Sequence, residues 1–219
     1  IYTNNSAWQY EPGPEPDTYW EKGVFQFFNP DPNNIETVIQ RWLPVFTYIT
    51  NRAITEAYDI ATTDITPMKN VVGQGYTLNI NVTVTNQGDF TENFNVTVFA
   101  NITSIASKIV TLSSGDSTTL TLTWNTTGMA KGNYTMKAVA DTVPGETDTT
   151  DNTQINGIVF VTIPGDANGD GFVNAIDFGI LGFYWFNLRG YDPRTDFNND
   201  NFINAIDFGI LGKYWFQHI

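Results

Sequence analysis

The 219-residue chain has no cysteine, one histidine, and 10 Lys+Arg against 23 Asp+Glu, a formal net charge of -13. Without cysteine there are no disulfides, zinc fingers, iron–sulfur clusters or thiol nucleophiles. The one histidine, His218, is the penultimate residue, which argues against imidazole triads and imidazole metal sites. So few bases do not build the clustered Lys/Arg surface that nucleic acid or an anionic membrane requires. No stretch approaches the ~18 apolar residues of a membrane span. The missing cysteines leave the compartment open, since cytosolic and exported proteins can both lack them. A chain that opens on Ile1 rather than Met is expected to be processed or trimmed, with a leader removed. What is present is 41% apolar and 15% aromatic residues, enough to build real cores in one large domain or two to three small ones. The counter-charge that such an acidic chain calls for is a cation.

Three textures follow one another. Residues 1–57 are punctuated by proline and acid (Glu11, Pro12, Pro14, Glu15, Pro16, Asp17) with large aromatics between them, among them Trp8, Tyr10, Tyr19, Trp20, Phe25, Phe27 and Phe28. Proline at that density favours extended or turn backbone. A short helix is expected over 35–42, capped by Asn33-Asn34 and ended by Pro44, followed by a strand over 45–50. The aromatics need a burial partner, within the chain or on a neighbour, which makes 1–57 a candidate assembly arm.

Residues 58–163 change to short alternating runs separated by Gly, Asn, Asp and Pro. From Thr77 to Thr85 the odd positions are polar and the even ones apolar, the pattern of a strand with one buried face. Phe94-Val96-Val98, Leu120-Leu122-Trp124 and Tyr134-Met136-Ala138-Ala140 repeat it. With 59–66, 107–112 and 158–163 this makes about seven strands, the number and spacing of an immunoglobulin-like β-sandwich. Asp59-Ile60 leading to Thr66-Pro67, the run from Leu78 to Asn86-Gln87-Gly88, Trp124-Asn125-Thr126-Thr127-Gly128, Lys131-Gly132-Asn133-Tyr134-Thr135 and the turn from Asp148 to Asn152 together resemble the cell-adhesion-related (CARDB-type) sandwich domain of bacteria and archaea. The resemblance implies a secreted or surface multidomain protein in a structural, spacer or adhesive role, and it brings no catalytic residues.

The last texture, 164–219, holds a duplication. DANGDGFVNAIDFGILGFYWF at 166–186 and DFNNDNFINAIDFGILGKYWF at 196–216 are near-copies offset by 30 and identical at 16 of 21 positions. Oxygen-bearing side chains stand at positions 1, 3, 5, 9 and 12 of each loop: Asp166, Asn168, Asp170, Asn174 and Asp177, then Asp196, Asn198, Asp200, Asn204 and Asp207. Calcium takes six to eight hard oxygen ligands, and this spacing wraps one loop around one ion. Position 7 lends a backbone carbonyl, from Phe172 and Phe202. Position 6 must turn with positive φ, which Gly171 does freely and Asn201 does as one of the better substitutes. Position 12 is expected to open a helix carrying Ile176, Ile180 and Leu181, so that its carboxylate lies on the positive helix end. Asp stands there in place of the usual Glu, and the shorter arm brings the helix closer to the ion. Two calcium ions are therefore expected.

Two calcium loops each followed by a helix, about 30 residues apart, resemble a dockerin, the module that docks onto cohesin domains. The resemblance implies two antiparallel loop–helix units that depend on metal to fold. Two departures stand out. Positions 10 and 11, often small hydroxyl residues that contact cohesin, are Ala175-Ile176 and Ala205-Ile206. The helices are also expected to continue into Phe183-Tyr184-Trp185-Phe186 and Tyr214-Trp215-Phe216, where those dockerins often carry basic and leucine residues. These aromatics form the helix core and clasp residues 1–57, make a subunit contact in a polymer, or offer a sugar platform.

Sequons occur at Asn4, Asn81, Asn95, Asn101, Asn125 and Asn133, and glycosylation is expected there if the chain is exported. Asp141, Glu146, Asp148 and Asp151 gather near one late turn, as a solvated acidic loop or a further calcium site. No enzyme is expected. The carboxylates Glu11, Glu15 and Asp17 sit among prolines, a poor frame for catalytic geometry, and no phosphate loop, nucleophile elbow or zinc signature appears. The expected fold is mainly β, an immunoglobulin-like sandwich with a small α-helical dockerin-like module holding two calcium loops. The expected role is a secreted or cell-surface structural protein that assembles with copies of itself into a filament, matrix or surface layer. The alternative is an accessory module binding a cohesin or glycan in a polysaccharide-degrading complex, and a third reading is a hydrolase remnant. The 1–10 arm would complete a neighbour's sheet by strand addition.

Overall fold

The computed structural model describes residues 57–219. The helix expected over 35–42, the strand over 45–50, the carboxylates Glu11, Glu15 and Asp17, the sequon at Asn4 and the 1–10 arm lie outside the described residues. Glu56–Ile219 forms one compact unit.

Among the described residues eight strands make two facing sheets. The antiparallel sheet of three contains β1 (Ile60–Pro67), β3 (Thr77–Asn86) and β6 (Ser117–Asn125) in the order β1-β3-β6. The sheet of five runs β2-β8-β7-β4-β5, with β2 (Val71–Gly73), β4 (Glu92–Ala100), β5 (Thr103–Leu112), β7 (Gly132–Ala140) and β8 (Thr153–Thr162). The alternation that defines β3 is realised in full: Leu78, Ile80, Val82 and Val84 are buried and the residues between them are half exposed. They face Val96, Val98, Ala100, Met136, Ala138, Val159 and Val161 across the core. Each large aliphatic side chain so buried contributes about 1.5–3 kcal/mol relative to exposure. Trp124 packs edge-on against Tyr134, with ring centroids 5.4 Å apart.

Two features depart from the expected strand list. β2 is three residues long and pairs parallel with β8, Val71 opposite Phe160, too short a run for alternation to reveal. β8 begins at Thr153, five residues before the apolar run that marks it. Its middle is broken by Gly157 at φ 82, where a Cβ would lie 3.2 Å from Pro67, and Ile155 and Ile158 on either side are exposed.

A second, smaller core follows without an extended linker. Ile163, Ala167, Val173, Leu181, Phe197, Ile203, Ile210 and Leu211 are buried together, and Tyr76 of the sandwich packs against both cores. This smaller core carries two helices, α1 (Ala175–Phe183) and α2 (Ala205–Lys213). The chain enters this region in close contact with both parts. A Cβ on Gly73 would sit 2.6 Å from the Cα of Pro164, and one on Gly165, at φ 98, would sit 2.9 Å from the Cα of Leu211.

The expected continuation of the helices into the aromatic tails is not what forms. α1 stops at Phe183 and is followed by a 3-10 turn over Trp185–Asn187 in which Phe186 has φ 54; α2 stops at Lys213 and Phe216 has φ 64. The physical reason is a crossed pairing of backbone. Phe186 N–H donates to the Ile203 carbonyl at 2.9 Å, and Phe216 N–H donates to the Val173 carbonyl at 2.9 Å. Each tail thus turns back to pair with the loop of the other repeat, and a continued helix would leave those loop carbonyls unpaired.

Candidate metal centre

The oxygen-bearing side chains picked out by spacing come together in two closely similar networks. In the first loop Asp166 accepts from Gly169 N–H at 2.7 Å and Gly171 N–H at 2.9 Å. Asn168 Oδ1 accepts from Asp170 N–H at 3.0 Å, and Asp170 Oδ1 accepts from Phe172 N–H at 2.8 Å. Asp177 accepts from Ala167 N–H and Asn174 N–H at 2.8 and 2.9 Å. In the second loop Asp196 accepts from Asn201 N–H at 2.8 Å, Asp200 from Phe202 N–H at 2.9 Å, and Asp207 from Phe197 N–H and Asn204 N–H at 2.8 and 2.9 Å. Each loop is closed at both ends by carboxylates that collect its backbone donors.

The helices begin at Ala175 and Ala205, two residues before position 12. Asn174 and Asn204 are the N-caps, accepting from Ile176 and Ile206 N–H at 2.8 and 2.7 Å. Asp177 and Asp207 complete capping boxes at N3, so positions 9 and 12 serve the helix as well as the loop. Position 6 has the expected left-handed backbone, φ 84 at Gly171 and φ 68 at Asn201. Position 4 shares it, at φ 75 for Gly169 and φ 62 for Asn199, and the recurrence of Gly or Asn at both places in both copies was the available signal.

Outside donors finish the position-1 carboxylates. Thr162 Oγ1 donates to Asp166 Oδ2 at 2.6 Å, and Tyr191 Oη donates to Asp196 Oδ2 at 2.6 Å. Lys69, from the sandwich, is buried and donates from Nζ to the Asp196 carbonyl at 2.7 Å. Neither Tyr191 nor Lys69 is marked by the repeat, because both reach the loop from outside it.

The donor chemistry fits calcium. Asp166, Asp177, Asp196 and Asp207 are 0–2% exposed. Burial pushes the Asp166 and Asp207 carboxyls above the usual carboxylate value, against the pull of their hydrogen bonds. The one ion pair among the described residues joins Arg194 to Asp192, so no guanidinium neutralises the four. Lys69 lends positive charge to Asp196 and Asp207 only; buried carboxylates short of counter-charge are costly, and a divalent ion supplies it to a donor set made of oxygen. Among the described residues no three carboxylate or imidazole side chains are already closed on one point. Asp170 and Asp200 lie on the exposed side, accepting from Asn168 and Asn198 side-chain amides at 2.8 and 2.7 Å. The side chains of Asp166, Asn168, Asp170, Asn174 and Asp177 with the Phe172 carbonyl, and their equivalents with the Phe202 carbonyl, are the groups that would hold the ions.

Of the sequons, Asn101, Asn125 and Asn133 are exposed, whereas Asn81 and Asn95 are half buried on the outer sheet faces. Asn81 Oδ1 accepts from Thr121, and Asn95 Nδ2 donates to Thr97.

Two family models match the chain: CARDB over residues 60–156, and the dockerin type I domain over 164–216. Dockerin type I domains bind calcium, and the two matched modules are non-catalytic. No curated protein matches the chain. Among solved structures, a CARDB domain from Pyrococcus furiosus, crystallised in complex with di-metal ions, is 25% identical; the match covers 51% of this chain and 99% of that one, with a TM-score of 0.42. The solution structure of that domain is 26% identical, with 49% and 97% covered and a TM-score of 0.41. A β-glucosidase from Erythrobacter marinus is 13% identical, with 48% of this chain and 15% of the enzyme covered and a TM-score of 0.37.

Proposed function

We propose that this chain, a CARDB sandwich joined to a dockerin type I module, is a non-catalytic, calcium-dependent attachment subunit of an extracellular or cell-surface assembly. Two calcium ions fold and stiffen the module, and its exposed apolar face does the attaching. The observation that carries this reading is the face itself. Ile176 and Phe178 on α1 and Ile206 and Phe208 on α2 are about half exposed, and the Phe178 and Phe208 rings meet at 5.9 Å. Equivalent residues of the two repeats therefore make one continuous patch of a kind that soluble surfaces seldom leave uncovered. Both helix starts are held in place by the loop carboxylates, so the patch depends on the loops.

The partner is a cohesin-type domain that meets Ile176 and Ile206 with apolar residues, in keeping with the absence of hydroxyl side chains at positions 10 and 11. The test is capture of the full chain on an immobilised cohesin panel, in calcium and then in chelator. Saturable binding that chelator reverses, and that I176D/I206D removes while leaving calcium uptake intact, is the expected result. No binding to any panel member by calcium-loaded protein would sink the cohesin reading.

Self-assembly is the second reading, and a different observation favours it. β5 is the edge strand of its sheet, with Ile109 on it and Ile102 in the turn before it largely exposed, an edge able to accept a strand from another copy. Electron microscopy in calcium and in chelator tests it: filaments or sheets that loosen on chelation support it, and uniform monomers at high concentration in calcium overturn it. No helix among the described residues is long and apolar enough to cross a membrane. An exported chain would present Asn101, Asn125 and Asn133 as the accessible glycan acceptors.

A further inference from the structure

The end of the sandwich at which the chain enters β1 holds a second gathering of acid, and the structure redraws it. Asp59 comes from before β1, and Glu146, Asp148 and Asp151 from the long turn before β8. Glu146 is fully engaged: it accepts from Ile60 N–H at 2.8 Å, Val143 N–H at 2.9 Å and Asn152 Nδ2 at 3.2 Å. Asp148 is exposed and tied to Thr150, and Asp141 has no part in the cluster's hydrogen bonds among the described residues.

Three oxygens are left. Asp59 Oδ1, Asp151 Oδ1 and Asn152 Oδ1 are buried and have no hydrogen-bond partner. Asn152 is 3% exposed. Its orientation is set by Glu146, because turning the amide over would put Oδ1 against a carboxylate and leave Nδ2 without an acceptor. A buried amide oxygen is thereby fixed among acids with nothing to accept from. The three residues are laced to one another. Gln87 N–H donates to the Asp59 carbonyl at 2.8 Å while its Nε2 donates to Asp151 Oδ2 at 3.3 Å, and Asn152 follows Asp151 directly. Asp59 is held above the ordinary carboxylate range by burial first, then by the charges of Asp151, Asp148 and Glu146. No Lys or Arg ion pair relieves the cluster among the described residues.

The segment leading in is also fixed. Ala57 N–H donates to Asp89 at 2.8 Å, Tyr58 stacks on Phe90 at 4.9 Å, and a Cβ on Gly88 would lie 2.6 Å from the Ala57 carbonyl oxygen. These contacts hold the segment carrying Asp59 against the β3–β4 turn, from which Gln87 reaches Asp151. Orphan oxygens of this number, in one tied cluster, each carry a desolvation cost that a hydrogen-bonded or metal-bound oxygen does not.

We propose that Asp59, Asp151 and Asn152 form a third cation site, separate from the two loops, that takes calcium. Two carboxylates and an amide supply hard oxygens with a charge matching a divalent ion, and water completes the six to eight ligands that calcium takes. The site joins the start of β1 to the β3–β4 turn and to the start of β8, so calcium there stiffens the sandwich independently of the helical module.

The experiment counts bound calcium by equilibrium dialysis on the full chain and on D59N/D151N and D177N/D207N. D59N/D151N is expected to bind one ion fewer than wild type and to keep the calcium-dependent circular dichroism of the helical module. D177N/D207N is expected to retain one ion and a calcium-dependent rise in the melting midpoint of the sandwich. If the double carboxylate variant does not fold, the single D151N replaces it, with calcium at the sandwich site loosened at least about tenfold and the loops unaffected. An unchanged ion count and unchanged midpoints in these sandwich variants would overturn the proposal, whatever happens at the loops.

Discussion

At the scale of single residues, the loops show how one position serves two tasks. Asp177 and Asp207 close the loop by accepting from its first N–H groups and also complete the capping box of the helix that follows. D177N is therefore expected to weaken calcium at its loop about a hundredfold, about 3 kcal/mol, and to lower the helical signal in the same titration. Isothermal calorimetry with circular dichroism checks both. The left-handed positions give a contrasting pair. Gly171 lies at φ 84, and a Cβ there would meet Ile219 at 2.7 Å. G171A is expected to cost about 1–2 kcal/mol in the calcium-loaded melt, whereas N201G, at φ 68, changes stability by about 0.5 kcal/mol or less. Glycine and asparagine at position 6 were legible in the sequence. Tyr191 on Asp196 was not, because nothing in a one-dimensional repeat marks a donor that reaches a loop from outside it.

At the scale of elements, the contact between sandwich and second loop turns on Lys69. Burial is the larger influence on its ammonium and holds it down to about 8, with Asp196 and Asp207 pulling the other way. A positive charge beside two ligands of one loop opposes a cation there. The second loop is accordingly expected to be the weaker calcium site, and K69M to tighten it severalfold, while the calcium-free protein loses about 1–3 kcal/mol because the Asp196 carbonyl is left unpaired. Calcium titration of wild type and K69M, with melts in chelator, reads both signs. The turn between the repeats offers a pH test. Burial pushes the Asp192 carboxyl up, but hydrogen bonds and charge from Arg194 outweigh it and hold the carboxyl below its usual value. A depressed carboxyl contributes stability that is full above the unfolded value and is lost as pH falls through the folded one. R194Q is thus expected to cost about 0.5–1 kcal/mol at neutral pH, Arg194 being part exposed, with the gap to wild type closing in strong acid. Urea melts across pH decide it.

At the scale of the molecule, two cores lie in one compact unit but differ in what sustains them. The sandwich buries long alternating strands and stands on apolar packing. The smaller core buries eight side chains beside four buried carboxylates, of which Lys69 lends charge only to Asp196 and Asp207. Chelation is expected to separate the two: the helical signal and the near-ultraviolet signal of Trp185 and Trp215 are lost first, while the sandwich melts later. Scanning calorimetry should show two transitions in chelator that approach each other as calcium is added. A single transition unmoved by chelator would contradict the calcium dependence of the module.

The sequence by itself determined the periodicities and the ligand spacing. Alternation at period two marked β3, β4, β6 and β7, because each buries alternate residues in the core, and the 30-residue duplication marked the ten oxygen-bearing loop side chains, because a loop's donors are local in the chain. What depended on contacts between distant segments was decided only by the tertiary structure. β2 is too short to show a period and is a strand only because β8 lies beside it. The aromatic tails leave their helices because each loop offers the other repeat's tail an unpaired carbonyl. Asp59 joins Asp151 and Asn152 across more than ninety residues because Gln87 and Glu146 tie the two segments together. Local hydrogen bonding and hydrophobic patterning are written in order along a chain. The desolvation of a carboxylate, and so the need for a cation, depends on what the rest of the fold places around it.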